Sequence, residues 1–299
     1  MINSSIYKLL SESATKNKLL IFIGAGASFG NELEKGLPSG GKLNQQQIDY
    51  YEEKLNLENQ PLDKVTEYIE KLYGRKVLIE KIYEIINNIE NPLTTHNYIA
   101  ELPIKLYVTT NYDILLEKSL ITKRKNFNRV TCDRDITSIS NNEINVFKIH
   151  GCISTTEDDI IITESDYYNK FLLKSNLFID ILKAWLSTHT CLFIGYSLSD
   201  VNLKYLFFEI SKKLGVENIK GKFYALQHNP YKSDIEIWEK RGFTIVQEDK
   251  NIFLNNLIEY IEFKDVVRNE NGIISKEGFK IGRLEIQEVK FYEQQCGND

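Results

Sequence analysis

With 299 residues, 42% of them hydrophobic, the chain has enough apolar material for one large core or two modest ones. Acidic residues outnumber basic ones by 42 to 37 and the two signs are mixed along the chain, which argues against direct nucleic-acid binding. No apolar stretch approaches the roughly 20 residues of a bilayer-spanning helix, and residues 1–18 lack a signal-peptide core, so a cytoplasmic protein without membrane contact is expected.

Taken in chain order, apolar runs recur at 19–23, 106–109, 144–149, 191–194, 223–226 and 243–246, with helical or loop-like material between them. Continuous runs suit strands covered on both faces, and their alternation with helices predicts an α/β fold: a mostly parallel, doubly wound sheet of about six strands. Each strand then delivers its following loop to one edge of the sheet, where ligands of such folds bind.

About 80 residues separate the first two runs, far more than an ordinary connection, which predicts an insertion over about 42–102. Within it Val65, Tyr68, Ile69 and Leu72, then Ile79, Ile82, Tyr83 and Ile86, repeat at helical spacing and indicate a small helical module. Its stripes suit a lid or an oligomer contact, and equally a plain core. Thr94 is expected to cap the next helix, which carries His96 and Leu102. His96, His189 and His228 read as structural or surface residues.

The main unit is expected to end near residue 263. Beyond it, Asn269-Glu270-Asn271-Gly272 is turn chemistry, and Leu284, Ile286, Val289 and Phe291 suggest a β extension over 264–299, serving oligomer or partner contact. Cys132, Cys152, Cys191 and Cys296 stand far apart without a Cys-x-x-Cys pair, so no metal is expected.

Four strand ends carry chemistry. The first strand runs into Gly24-Ala25-Gly26-Ala27-Ser28, where small residues let backbone N–H groups approach a pyrophosphate; a tight turn needing small residues is the plain alternative. Phe29 stands where a dehydrogenase fingerprint has its third glycine, and no second strand ends in an acidic residue about 20 residues later, which argues against an ordinary dehydrogenase. The second strand ends in Thr109-Thr110-Asn111-Tyr112-Asp113 and the third in Ile149-His150-Gly151, putting an amide and an imidazole just past two strand ends. Asn111 or Asp113 could instead cap the following helix, and His150 could be a core histidine. A further strand ends in Gly195-Tyr196-Ser197-Leu198-Ser199-Asp200, where Gly195 permits close approach, Ser197 can bond a ribose or phosphate, and Ser199 or Asp200 can cap a helix.

In these four motifs and their order, the sequence resembles the sirtuin family over roughly residues 18–260, specifically its bacterial branch of NAD-consuming antiviral proteins. Gly24-Ala25-Gly26-Ala27-Ser28 matches the glycine-rich opening, Thr110-Asn111-Tyr112-Asp113 the Asn-x-Asp motif, Ile149-His150-Gly151 the His-Gly motif and Gly195-Tyr196-Ser197 the Gly-x-Ser loop. The resemblance implies a Rossmann-like domain that binds NAD. Deacylating sirtuins carry a zinc ribbon of two Cys-x-x-Cys pairs and a Phe-Arg pair after the opening; here neither exists, and Gly36-Leu37-Pro38-Ser39 stands in the second place.

The implied activity is therefore NAD hydrolysis to ADP-ribose and nicotinamide in anti-phage defence, with NAD as substrate. A protein deacylase and a non-catalytic NAD or ADP-ribose sensor are the alternatives. Asn111 would hold a water or ribose hydroxyl against the anomeric carbon, and the imidazole of His150 would take the proton. The backbone around Ala25 and Gly26 with Ser28 would hold the pyrophosphate and Ser197 the adenosine ribose, Asp113 would orient Asn111 or accept from the nicotinamide amide, and Gly24, Thr110 and Gly195 would complete the binding residues. An enzyme that destroys NAD needs restraint, so a homo-oligomer is expected. Because the sirtuin-like region fills nearly all of the sequence, the expected sensor is a separate protein, a ring-forming HerA-type ATPase by resemblance to two-component defence systems.

Overall fold

The computed structural model describes residues 2–30, 34–51, 60–171, 176–197 and 201–269. Helix α1 (Ile2–Thr15) leads into strand β1 (Leu19–Ile23) and a 3₁₀ turn, Ala25–Ser28. Helices α2 (Gly40–Tyr51), α3 (Leu62–Tyr73), α4 (Arg75–Ile86) and α5 (Thr94–Glu101) precede strand β2 (Leu106–Thr109). There follow α6 (Leu115–Thr122), β3 (Phe127–Val130), β4 (Ile144–Lys148), α7 (Glu164–Phe171), α8 (Leu177–Thr188) and β5 (Thr190–Ile194). Helices α9 (Val201–Leu214) and α10 (Val216–Ile219), strand β6 (Phe223–Gln227), α11 (Lys232–Glu239), β7 (Phe243–Gln247) and α12 (Lys250–Asn269) complete the described chain.

The seven strands form one parallel sheet in the order β3-β4-β2-β1-β5-β6-β7. The α/β reading holds, and the six expected strands lie where the apolar runs placed them. The addition is β3, whose Phe-Asn-Arg-Val sequence alternates because it occupies a half-buried edge.

Strand β1 is buried along its whole length, and its period-2 geometry divides its side chains between two layers. Leu19, Ile21 and Ile23 meet α1, α5, α6 and α12 through Tyr7, Leu10, Ile99, Leu116, Phe253 and Leu257. Leu20 and Phe22 meet α8, α9 and α11 through Phe178, Leu182, Phe207 and Trp238. Each such side chain contributes about 1.5–3 kcal/mol on burial. Phe22 stacks on Phe193 with centroids 5.0 Å apart, and Phe22→Ala would cost about 3–5 kcal/mol at the centre of that layer.

The chain moves from β1 to β2 and β4 on one side, then crosses to β5 on the other. The loops after β1 and β5 therefore leave adjacent strand ends at the point where the strand order reverses, which is where open α/β sheets form their ligand crevice.

The insertion is helical. Ile48, Val65, Ile69, Leu78, Ile82 and Ile86 from α2, α3 and α4 share a core with Ile160 and Ile162, while Tyr68, Leu72 and Tyr83 face outward. Helix α5 packs elsewhere: Ile99 and Ala100 join the main layer beside α6 and α12. Thr94 is the first residue of α5 and does not cap it, since its N–H and hydroxyl donate to Glu34 Oε1 at 2.9 and 2.6 Å. The exposed N–H group of the helix start is thus met by a carboxylate, which the positive end of the helix also favours.

Helix α12 continues past residue 263 to Asn269, so the expected turn begins on its last residue. The proposed β residues Leu284, Ile286, Val289 and Phe291, with Cys296, lie outside the described residues, as do Ser199 and Asp200. Among the described residues no helix is long and apolar enough to cross a membrane, and no group of three or more His, Cys, Asp and Glu is arranged to hold a metal.

Candidate active site

The glycine loop after β1 packs backbone against backbone on the loop after β5. Gly24 N–H donates to Ile194 O at 2.9 Å and Gly26 N–H to Gly195 O at 2.7 Å. A Cβ on Gly24 would lie 2.6 Å from Gly195 O and from Tyr196 Cα; one on Gly195 would lie 2.0 Å from Ala27 N, and Gly195 has φ +63°. The small residues at Gly24, Gly26 and Gly195 are thus required by mutual packing, whatever ligand approaches them. Ala25 is exposed at the tip of this loop.

Ser28 closes the turn, and the structure gives its hydroxyl a different place from the pyrophosphate contact expected of it. It is 1% exposed and stands at the centre of a side-chain network. Asn111 Nδ2 donates to it at 3.1 Å, it donates to Asp113 Oδ2 at 3.0 Å, and His96 Nε2 lies at 3.2 Å. The directions follow from His96: Leu93 N–H donates to Nδ1 at 3.2 Å, so in the neutral ring Nε2 carries the proton and donates to Ser28. With its lone pairs and proton all engaged, the hydroxyl has nothing left for a phosphate.

Asn111 sits just beyond β2. Its own N–H is held by Thr109 Oγ1 at 3.0 Å, and Thr110 N–H by Ile23 O at 3.2 Å, so the turn is fastened to β1 and β2. The carboxamide nitrogen donates to Gly24 O at 3.2 Å as well as to Ser28. This fixes which end is nitrogen and leaves Oδ1 buried with no hydrogen-bond partner among the described residues. Asp113 stands one residue before Ile114, the N-cap of α6, and its Oδ1 accepts from Leu115 N–H, the first residue of that helix, at 3.0 Å.

His150 is buried two residues beyond the last β2–β4 pair, Thr109 and Lys148. Its ring meets Tyr167 edge-on at 5.2 Å and lies 6.1 Å from Tyr112, the residue between Asn111 and Asp113. Ile153 N–H donates to Tyr112 O at 3.0 Å, which ties the two motif loops together. Gly151, at φ +85°, faces Asp159 O 2.2 Å from any Cβ. Ser197 is exposed three residues beyond β5.

The structure adds His96 and Lys148, neither of which the motifs indicated. His96 is on one helical face with Ile99 and Ala100, a spacing that would have marked it as core-facing. Burial pushes its imidazole below the ordinary range, with the Asp113 charge opposing this. Lys148 interrupts an apolar strand and is fully buried; burial works against its charge, but the Glu117 carboxylate beside it holds its pKa above the usual lysine range.

The parallel sheet, the crevice at β1 and β5 and the motifs at its edge define an α/β protein with a ligand site at its strand ends. Residues 105–246 match the family model of the SIR2-like domain. The chain is 27% identical over 241 residues to NAD(+) hydrolase ThsA of Acinetobacter baumannii, a match covering 78% of this chain and 47% of that protein. It is 26% identical over 296 residues to NAD(+) hydrolase ThsA of Bacillus cereus, covering 92% and 58%. Against Defense-associated sirtuin 2 of Bacillus subtilis the identity is 25% over 291 residues, covering 90% and 27%. The chain thus spans from 27% to 58% of the length of these relatives.

Proposed function

We propose that this chain hydrolyses NAD+ to ADP-ribose and nicotinamide and thereby depletes cellular NAD in anti-phage defence. The observation that carries the proposal is Asn111 Oδ1: buried at a strand end beside the His150 loop, held from behind through its nitrogen, and itself without a partner among the described residues. The names of the curated relatives agree with this chemistry.

In the reaction the bond between nicotinamide nitrogen and ribose C1′ breaks, and its electron pair leaves with a neutral pyridine. The ribose left behind carries positive charge at C1′. A water held by Asn111 Oδ1 attacks that carbon, the new C–O bond forms, and His150 takes the water's proton. General-base assistance of this kind is worth about 10²- to 10⁴-fold. Asp113 acts through Ser28 to orient Asn111; the loop at Gly24, Ala25 and Gly26 borders the diphosphate, Thr110 the nicotinamide ribose, and Gly195 and Ser197 the adenosine ribose.

The test is conversion of NAD+ by purified protein, followed by chromatography of nicotinamide and ADP-ribose. Asn111→Ala and His150→Ala should abolish turnover while the protein stays folded; full turnover by both would overturn the assignment. Release without acylated peptide separates the reaction from deacylation, and tight binding with no product over hours would favour a sensor. We further infer a cytoplasmic homo-oligomer whose activity is released by a partner, with a HerA-type ATPase encoded nearby as the first to test. Native mass measurement with and without that neighbour checks both.

A further inference from the structure

The ladder between β2 and β4 reaches its last paired position at Thr109 and Lys148, and Ile149 N–H still donates to Thr109 O at 2.8 Å. Asn111 and His150 each stand two residues beyond that paired position, where the strands no longer fix their separation. Lys148 spans this gap. Its side chain is 1% exposed, and its ammonium donates both to the main-chain carbonyl of Asp113 and to Glu117 Oε1, the latter at 3.1 Å. Glu117, 3% exposed on α6, also receives Arg129 Nε from β3 at 3.1 Å. Arg129 Nη1 continues to Ser154 Oγ at 2.7 Å, returning to the segment that follows His150.

A buried ion pair of this kind is weak evidence for stability, because the desolvation of both charges offsets their attraction and apolar replacements often fold as well. What the pair adds here is geometric: one cation, rooted on the strand that leads to His150, grips the backbone that carries Asn111. Resting on the reading that these two residues hydrolyse NAD, we propose that Lys148 is a positioning residue that sets Asn111 and His150 at the separation the attacking water requires. It touches neither substrate nor reacting atoms and acts only through the Asp113 carbonyl and the strand.

The experiment compares wild type, Glu117→Gln, and the charge-neutral double variant Lys148→Met/Glu117→Gln in NAD turnover and thermal melting. A misplacement near 1 Å costs about 10²-fold in rate, so the double variant should lose about 10- to 100-fold in kcat with KM changed less than about three-fold. Its melting temperature should stay close to that of Glu117→Gln. The single variant keeps the Lys148–Asp113 bond and should retain kcat within about three-fold of wild type. A double variant with wild-type kcat, a Glu117→Gln loss as large as that of the double variant, or a fall in kcat that only tracks a fall in melting temperature would each overturn the proposal. Should the double variant fail to fold, Lys148→Gln decides: its amide still donates to the Asp113 carbonyl and should keep kcat within about ten-fold of wild type, and a larger loss in folded protein overturns the idea. An inactive wild type overturns the reading of function, and with it this proposal; an active wild type with an unaffected double variant overturns the proposal alone.

Discussion

The Asn111 carboxamide donates to the Ser28 hydroxyl at 3.1 Å, and the same hydroxyl donates to Asp113 at 3.0 Å. Asn111 is therefore aimed by a buried three-residue chain, with His96 as the third contact on the hydroxyl. Ser28→Ala removes both the acceptor for Asn111 and the donor for Asp113. It should lower kcat by about 10- to 100-fold through misorientation of the carboxamide. The unpaired buried groups should cost about 1–3 kcal/mol of stability. Nicotinamide release and a denaturant melt read the two effects separately, and unchanged turnover by Ser28→Ala would remove this chain from the mechanism.

His96 makes the same cluster sensitive to acid. Burial pushes its pKa below the ordinary 6.5, so the folded protein holds it neutral where the unfolded chain would be protonated. The unfolded state then binds the extra proton, so the contribution of His96 to stability is complete above about pH 6.5 and declines as the pH falls. His96→Gln has no such titration, while its amide can still donate to Ser28. Between about pH 7 and pH 5 the wild type should lose more melting temperature than His96→Gln. Parallel curves for the two proteins would show that His96 is not held neutral.

Much of this site was legible in sequence because its motifs lie directly after apolar runs. Once β1, β2, β4 and β5 are read as strands, Gly24, Asn111, His150 and Gly195 reach one edge by topology alone. His96 was not legible: its partner Ser28 is 68 residues away and only the packing of α5 on the main layer joins them. Lys148 was hidden for the converse reason, sitting within the apolar run of β4 while its ion partner Glu117 is on helix α6. In the insertion the periodicity was clear but its phase was not. Val65 and Ile69 turn inward, and Tyr68 and Leu72 outward, because the receiving surface is Ile160 and Ile162. Strand β3 escaped since an edge strand need not be apolar on both faces.

The packing of the two small-residue loops gives a sharp mutational contrast. Gly195→Ala sets a methyl 2.0 Å from Ala27 N on a residue with φ +63°, and no flexible side chain is present there to give way. Left-handed backbone alone costs a non-glycine residue about 1–2 kcal/mol, and the backbone collision adds to it. Gly40→Ala, at the first position of α2 with nothing within 4 Å, is the matched control and should be neutral or slightly stabilising. Chemical denaturation of the two variants tests this, and equal stabilities would show that the loops yield more easily than their contacts indicate.

Arg75, the first residue of α4, fastens the helical insertion to the segment beyond His150. Its Nη1 meets Glu70 and Asp166, each at 2.8 Å, and its Nη2 donates to the carbonyls of Ile160 and Glu157. Asp166 in turn receives the N–H groups of Ile162 and Thr163 at 3.0 Å, so the guanidinium and the carboxylate close one knot around residues 160–166. Burial disfavours the charge on Arg75, but its hydrogen bond to Asp166 and the neighbouring Glu70 hold its pKa above the usual range. A lysine could not reproduce the planar fork that reaches both carboxylates and both carbonyls, so Arg75→Lys should behave much like Arg75→Met. Each should cost about 1–3 kcal/mol. The loss should be local: amide hydrogen exchange should accelerate in α3 and α4 and stay unchanged in β1 and β2, because Phe22, Ile21 and their neighbours keep the main layers intact. A uniform acceleration across the sheet would instead mean that the insertion and the main unit unfold together, with Arg75 serving the whole protein and not one module.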